Sequence, residues 1–212
     1  MIKDSAFARG TGMTILKMPA EIESMDFSGR AFEILQYLSE AENLTVTMIA
    51  ELLGCGRNAA SKSITSLWHA HLARCLAVAT PMRVFRLWTA TDGVLPRSAT
   101  EACRLAALGM YYTRARKEVQ GFEWRLVRNG KKPVCAEMTF IPRGKTEKAK
   151  MLIEAPRRGE EPGGEADLYI FPTLEEGQKL SPRGKRFTAD LILLENKRTE
   201  LNKLIFEIEN GN

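Results

Sequence analysis

Residues 44–71, LTVTMIAELLGCGRNAASKSITSLWHAH, predict two short helices joined by a tight turn. Thr45 can cap a first helix over residues 46–53, whose apolar positions are 48, 49, 52 and 53. Gly54 stands where this helix would end on a left-handed residue. After the turn, a second helix is expected over residues 57–71.

The second predicted helix has one apolar and one polar face. Its apolar stripe follows the spacing i, i+4, i+7 and consists of Ala60, Ile64 and Leu67. The opposite face carries small, polar and basic residues, namely Arg57, Asn58, Ser61, Lys62 and Thr65. Two short helices joined by a glycine turn are typical of a helix-turn-helix, whose second helix enters the DNA major groove. We therefore predict that this polar face contacts bases and phosphates.

The residues that follow predict a β-hairpin. Residues 74–78 and 83–88 form two short runs with strand-forming residues, separated by a turn that contains Pro81. Such a hairpin fits the wing of a winged helix, and its basic residues are further DNA-binding candidates: Arg74, Arg83 and Arg86.

The residues upstream predict a first helix over residues 29–39, which Ser28 can cap. Its expected apolar stripe is Phe32, Leu35 and Leu38. We therefore expect a winged-helix domain over residues 28–95, preceded by an N-terminal extension over residues 1–27. A helical hairpin that binds another protein is the alternative.

The charge of the chain is unevenly distributed. The 212 residues include 31 Lys and Arg and 26 Asp and Glu, a formal net charge of +5. Residues 52–91 contain no acid, and residues 114–150 contain eleven basic residues against four glutamates. Such stretches attract polyanions, because neutralising phosphates releases condensed counterions. The alternative is a solvated face that happens to be basic.

Several classes of protein are excluded by composition. The chain has two histidines, so a three-histidine metal site cannot be built. Its four cysteines are spread evenly without a CxxC pair, and we expect them to be small buried residues. No apolar stretch is long enough to span a bilayer, and the N-terminus lacks the apolar segment of a secretory signal. We therefore expect a soluble, cytoplasmic protein.

Residues 96–212 predict an α+β domain. A capping box at residues 98–101 opens a long helix whose inward stripe is Leu105, Leu108, Tyr112 and Ala115. Alternating runs around Asn129-Gly130, at residues 122–127 and 134–140, predict an antiparallel hairpin. The expected remainder is a strand at 166–171, a loop at 173–185, a strand at 187–194 and a helix at 198–209.

Candidate chemistry lies at the ends of the last two predicted strands. Asp167 begins one, and Glu195 and Lys197 follow the other in an ExK pattern. Two carboxylates can hold Mg²⁺ or Mn²⁺ against a scissile phosphate, and a lysine can stabilise the developing charge. Asp167 and Glu195 are thus the candidate metal ligands, and all three residues are candidate catalytic residues. Solvated residues at strand ends are the alternative.

The layout resembles the replication-relaxation family, which includes the MobC-type plasmid mobilisation proteins. The resemblance is carried by LTVTMIAELLGCGRNAASKSITSLW at 44–68, VFRLWTATDG at 84–93, ADLYIF at 166–171 and LILLENKRTE at 191–200. It implies a winged helix joined to a degenerate PD-(D/E)xK domain with a restriction-endonuclease-like fold. Lys197 stands where many members carry an acid.

These observations lead to a functional expectation. We expect a double-stranded DNA-binding protein of a mobile element, acting at an origin of transfer or replication. In it the C-terminal half either assembles a complex or nicks one strand with the help of a metal ion. Its expected partners are DNA and either a second copy of the chain or other proteins of an origin complex. One alternative is a transcriptional repressor with a C-terminal dimerisation or effector domain. The other is an autonomous endonuclease.

Overall fold

The computed structural model describes residues 4–22, 29–130 and 132–208. Within these residues the chain is mixed α+β, with six α-helices, one 3-10 helix and two sheets. This confirms the predicted α+β class. None of the helices in the described ranges is long and apolar enough to cross a membrane.

The first half of the chain builds three helices on a small antiparallel sheet. The sheet has the strand order β1-β2-β3, with β1 at Gly12–Ile15, β2 at Ala73–Ala79 and β3 at Val84–Ala90. The helices are α1 at Gly29–Ala41, α2 at Val46–Leu52 and α3 at Arg57–His69. Strand β1 was not predicted; it has four residues and pairs with β2.

The helix pair at the centre of this half agrees with its sequence. The Thr45 hydroxyl accepts a hydrogen bond from the Met48 N–H at 3.4 Å, which caps α2. Gly54 has a φ of 60°, the left-handed conformation that the turn requires. The predicted stripe of α3, Ala60, Ile64 and Leu67, is fully buried. The helix ends two residues before the predicted end.

The inward face of α1 differs from the prediction. Its buried residues are Ala31, Ile34, Leu38 and Ala41, which also follow a helical spacing. Phe32 is 67% exposed, so its assignment to the core is wrong. The buried face includes two alanines, which are weak apolar signals in a sequence. The prediction therefore followed the larger Phe32 and placed the stripe on the wrong side of the helix. Ser28, the predicted cap, lies outside the described residues.

Helix α4, Ala99–Glu118, runs through the middle of the molecule. The Ser98 hydroxyl accepts a hydrogen bond from the Glu101 N–H at 3.1 Å, so the predicted helix start is confirmed. Residues 101–115 are buried on every side of the helix, because α1, α2 and β2 cover part of its surface and the C-terminal elements cover the rest. A Cβ at Gly109 would lie 2.7 Å from the Asn43 carbonyl oxygen, so this close approach requires glycine. One hydrophobic core therefore continues across the predicted boundary at residue 95.

The second half forms a six-stranded sheet in the order β4-β5-β6-β7-β8-β9. The first three strands are antiparallel, β6, β7 and β8 are parallel, and β9 is antiparallel to β8. Their bounds are Glu123–Val127, Cys135–Phe140, Ala149–Glu154, Leu168–Phe171, Arg186–Ala189 and Phe206–Glu207. The predicted hairpin of residues 122–140 is confirmed, with Gly130 at a φ of 56°.

Several elements of this half differ from the prediction. The predicted strand at 187–194 is wrong: β8 ends at residue 189, and helix α6, Asp190–Glu195, follows directly. A short apolar run fits a strand or a buried helix equally well. The predicted loop at 173–185 contains helix α5, Leu174–Leu180, and β6 was not predicted. In place of the predicted helix at 198–209, the structure has the 3-10 helix Leu201–Leu204 and β9; Glu209 lies outside the described residues.

Candidate nucleic-acid interface

Helix α3 presents its polar face to the exterior. Arg57, Asn58 and Lys62 are exposed, and Ser61 and Thr65 are partly exposed. The residue that precedes the helix, Gly56, offers no side chain to cap the first backbone N–H groups. This end of α3 therefore combines free backbone donors with cationic and amide side chains, a combination that suits phosphate and base contacts.

The β2–β3 hairpin ends in a tight, hydrogen-bonded turn. The Thr80 N–H donates to the Arg83 carbonyl at 3.0 Å, and the Thr80 hydroxyl donates to the same oxygen at 2.7 Å. These bonds hold the backbone of Arg83 in place while its side chain, and that of Arg86, remain exposed. The predicted hairpin is thus confirmed, with Pro81 and Met82 exposed at its tip.

Four basic side chains of α3 and the hairpin form no ion pair within the part of the chain that the structure describes: Arg57, Lys62, Arg83 and Arg86. Arg74 differs from these four, because its Nη2 donates to the Gly93 carbonyl at 2.6 Å and its side chain is half-buried. Arg74 therefore binds the loop after β3, and it is less free to contact DNA than the sequence predicts.

The second basic stretch, residues 114–150, is largely neutralised within the molecule. Seven of its eleven basic residues form ion pairs: Arg114, Arg116, Arg125, Arg128, Lys132, Lys148 and Lys150. Three of their carboxylate partners, Glu118, Glu123 and Glu137, belong to the same stretch. The structure therefore favours the first basic stretch over the second as a surface for polyanions.

The predicted catalytic residues lie on different elements: Asp167 before β7, Glu195 at the end of α6 and Lys197 beyond it. Asp167 precedes β7, and its Oδ2 accepts a hydrogen bond from the Leu152 N–H at 2.9 Å. Glu195 ends helix α6 and does not end a strand. Lys197 is therefore not related to Glu195 by the period of two along a strand, and its Nζ lies 4.0 Å from Glu51 of α2. Among the described residues, no group of three or more His, Cys, Asp or Glu is placed to hold a metal ion.

Lys197 instead lies in an open cleft of about 590 Å³ beside α3. The cleft is bounded by the start of α2, the start of α3, strand β3, helix α4 and the end of α6. Arg57, Ser61, Arg83 and Arg86 line it together with Lys197. Local sequence patterns do not place Lys197 in one cleft with these residues, because its position depends on how α6 packs.

Arg114 of α4 brings the end of α6 to this cleft. Its Nη1 donates to the carbonyls of Leu193 and Asn196, at 3.4 and 3.2 Å, and its Nη2 donates to the Thr199 carbonyl. The guanidinium is also paired with Glu118 at 3.1 Å. Because these carbonyls accept from Arg114, the chain after α6 does not continue as a regular helix, and Lys197 is held at the edge of the cleft.

Two of the four cysteines, Cys75 and Cys103, are buried as predicted, whereas Cys55 and Cys135 are partly exposed. Burial raises the pKa of the Cys75 thiol to about 11, although Arg86 opposes this shift. Burial also raises the pKa of Cys103 to about 12 and that of Cys135 to about 11. These thiols therefore stay protonated at neutral pH and behave as small apolar groups.

Comparison of the chain with the families of known proteins, with curated proteins and with solved structures finds no match.

Proposed function

We propose that residues 29–90 form a winged helix-turn-helix that binds double-stranded DNA. In support, the order of elements is that of a winged helix: α1, a single residue paired with β3, then α2, α3 and the β2–β3 hairpin. The single residue is Leu44, which pairs with Trp88 of β3 through two backbone hydrogen bonds of 3.0 and 2.8 Å. In this reading α3 enters the major groove and the β2–β3 hairpin is the wing.

One observation carries the proposal: four basic side chains on the elements that a winged helix presents to DNA form no ion pair within the described residues. Arg57 and Lys62 lie on α3, and Arg83 and Arg86 lie on the hairpin. Unpaired basic groups retain their full attraction for phosphates, whereas paired ones are already compensated.

The site of action is proposed from the sequence resemblance alone. On that ground we propose an origin of transfer or replication of a mobile element, and the partners there would be DNA and a second copy of the chain or other origin proteins. The proposal is of binding without nicking. The nicking hypothesis placed Asp167 and Glu195 at neighbouring strand ends, and Glu195 ends a helix.

The first test is the selection of bound fragments from genomic DNA, followed by titration of the selected duplex. Arg57→Ala and Lys62→Ala should each weaken binding of the selected duplex, and a base contact by Arg57 should be worth about 1–3 kcal/mol. Arg125→Ala is the matched control, because Arg125 is exposed but paired with Glu137 at 2.9 Å. Equal affinities of all three variants and the unmodified protein, for selected and random DNA, would refute the assignment of α3.

The wing is tested separately by its salt dependence. If Arg83 and Arg86 contact phosphates, replacing both with Ala should weaken binding to any duplex and flatten the slope of log affinity against log salt by about two. A loss confined to the selected sequence would instead show that the wing reads bases.

The cleft beside α3 favours a second candidate function, a transcriptional repressor that responds to a ligand. It lies between the proposed DNA-binding elements and the C-terminal half. A ligand there would be in a position to change DNA affinity, because the two sites share residues. If the selected fragments map to promoters, this function replaces the origin-binding one.

A further inference from the structure

The rim of the cleft beside α3 is cationic. Five basic side chains line the cleft: Arg57, Arg83, Arg86, Arg114 and Lys197. Arg114 is paired with Glu118 at 3.1 Å, and Lys197 lies 4.0 Å from Glu51. Glu51 is the only carboxylate among its described lining residues. A cleft that combines several positive charges attracts and orients an anion with more than one negative charge.

The inner part of the cleft is apolar and aromatic. Phe85 and Trp88 line it, and Trp88 is only 3% exposed. Met110 and Leu193 line the cleft beside these rings. This apolar wall favours a ligand that carries a flat, largely apolar ring beside its charge.

We propose that this cleft binds a nucleoside phosphate. The phosphate contacts Arg86 and Lys197 at the rim, and the base lies against the apolar wall at Phe85. The hydroxyl groups of Thr45 and Ser61 also line the cleft and can bond to the sugar. The volume of about 590 Å³ is within the range of sites that enclose small ligands.

This inference goes beyond the proposed function, since it does not require duplex binding. It does predict a link to it, because Arg57, Arg83 and Arg86 serve both the cleft and the proposed DNA surface. A nucleoside phosphate in the cleft should therefore compete with duplex DNA. The ligand has two chemical sources, a free nucleotide or an unpaired nucleotide of a DNA strand.

The test uses the full chain and two fluorescent probes, a labelled adenosine monophosphate and a labelled single-stranded oligonucleotide, with binding followed by anisotropy. Lys197→Ala should weaken binding about tenfold. Lys203→Ala should leave it unchanged, since Lys203 is an exposed lysine 3.5 Å from Glu200 and does not line the cleft. Phe85→Leu, which removes an aromatic ring from the apolar wall, should weaken binding severalfold, with circular dichroism as the check on folding.

The outcomes separate the two sources and the two proposals. If the mononucleotide binds and Lys197→Ala weakens that binding, the site is supported and its ligand is a free nucleotide. If only the oligonucleotide binds in a Lys197-dependent way, the site is supported and its ligand is a nucleotide of a DNA strand. No binding of either probe up to millimolar concentration, or binding that Lys197→Ala leaves unchanged, would overturn the inference. Nucleotide binding in a protein that fails to bind any duplex would overturn the proposed function alone.

Discussion

At the scale of single residues, Arg157 is a buried cation whose side chain forms four hydrogen bonds. It is paired with Asp190 at 2.7 Å, and both side chains are completely buried. Its remaining donors bond to backbone carbonyls from three parts of the chain, those of Phe7, Ala155 and Ile170. Ser5 donates to the same Asp190 oxygen at 2.6 Å. This group therefore ties the N-terminal residues to the six-stranded sheet.

Breaking this pair from one side should be strongly destabilising. Burial raises the pKa of Asp190 while Arg157 opposes the shift, so Arg157→Leu leaves a carboxylate that must take up a proton or remain charged without its partner. We expect a loss of about 3–5 kcal/mol in the free energy of unfolding, measured by urea denaturation. Arg157→Leu combined with Asp190→Asn should recover part of it. A loss below about 1 kcal/mol, as expected for the exposed pair of Arg125, would contradict this account.

The stability of the fold should depend on pH through Glu101, whose pKa is lowered, whereas that of Asp190 is raised. Burial alone would raise the pKa of Glu101, but hydrogen bonds from the guanidinium and backbone N–H of Arg97 outweigh it and hold that pKa below its ordinary value of 4.5. A carboxyl with a lowered pKa stabilises the fold above the unfolded-state pKa, and this stability is lost as the pH falls through the folded-state pKa. Glu101→Gln should therefore cost about 1 kcal/mol at pH 7, a modest value because Arg97 is exposed.

The measurement for Glu101 is urea denaturation of both proteins at neutral and acidic pH. The difference in unfolding free energy should shrink as the pH falls below about 4.5, since protonation removes the same charge that the substitution removes. A difference that grows on acidification would mean that Arg97 does not stabilise the charged form.

At the scale of elements, the turn between α2 and α3 sets the angle at which the proposed recognition helix leaves α2. Gly54 and Gly56 both have open space where a Cβ would lie, but only Gly54 has a positive φ, of 60°. Gly54→Ala should therefore cost about 1 kcal/mol in unfolding free energy through backbone strain alone. Gly56→Ala is the matched control, because its φ of −69° suits any residue. Equal thermal stabilities of the two variants would show that the turn carries no such strain.

At the scale of the whole molecule, the two halves share their central element. Helix α4 packs against α2 of the first half and against α6 of the second. The N-terminal residues add a further link, because Phe7 packs against Phe85 at 5.0 Å and its carbonyl bonds to Arg157 at 3.2 Å. A core that is continuous in this way favours cooperative unfolding.

The halves should therefore unfold together. Trp68 lies in α3, Trp88 in β3 and Trp124 in β4. Variants whose single tryptophan is either Trp68 or Trp124, with Trp88 replaced in both, therefore report on each half. We expect the fluorescence midpoints of the two variants in urea to coincide with the midpoint from circular dichroism, after correction for the stability of each variant. Two separate transitions would instead support independent domains divided at residue 95.

Much of the first half follows from the sequence by itself. The cap at Thr45, the turn at Gly54, the buried stripe of α3 and the hairpin around Pro81 are local features that need only a few neighbouring residues. The same holds for the start of α4 at Ser98 and the hairpin that contains Gly130. Hydrophobic period and cap chemistry act over one or two turns, so no distant part of the chain is required to predict them.

The tertiary structure decided the rest, because the deciding partners are far apart in sequence. Arg114 fixes the chain beyond α6 by donating to the Asn196 carbonyl. Asp190 is paired with Arg157 and begins a helix, although the apolar run that follows it also fits a strand. The pairing of glutamates with the second basic stretch, and the placement of Lys197 beside Arg57, likewise depend on packing. Charge and motif in the sequence identify which residues can bind an anion; only the fold decides which of them remain unpaired to do so.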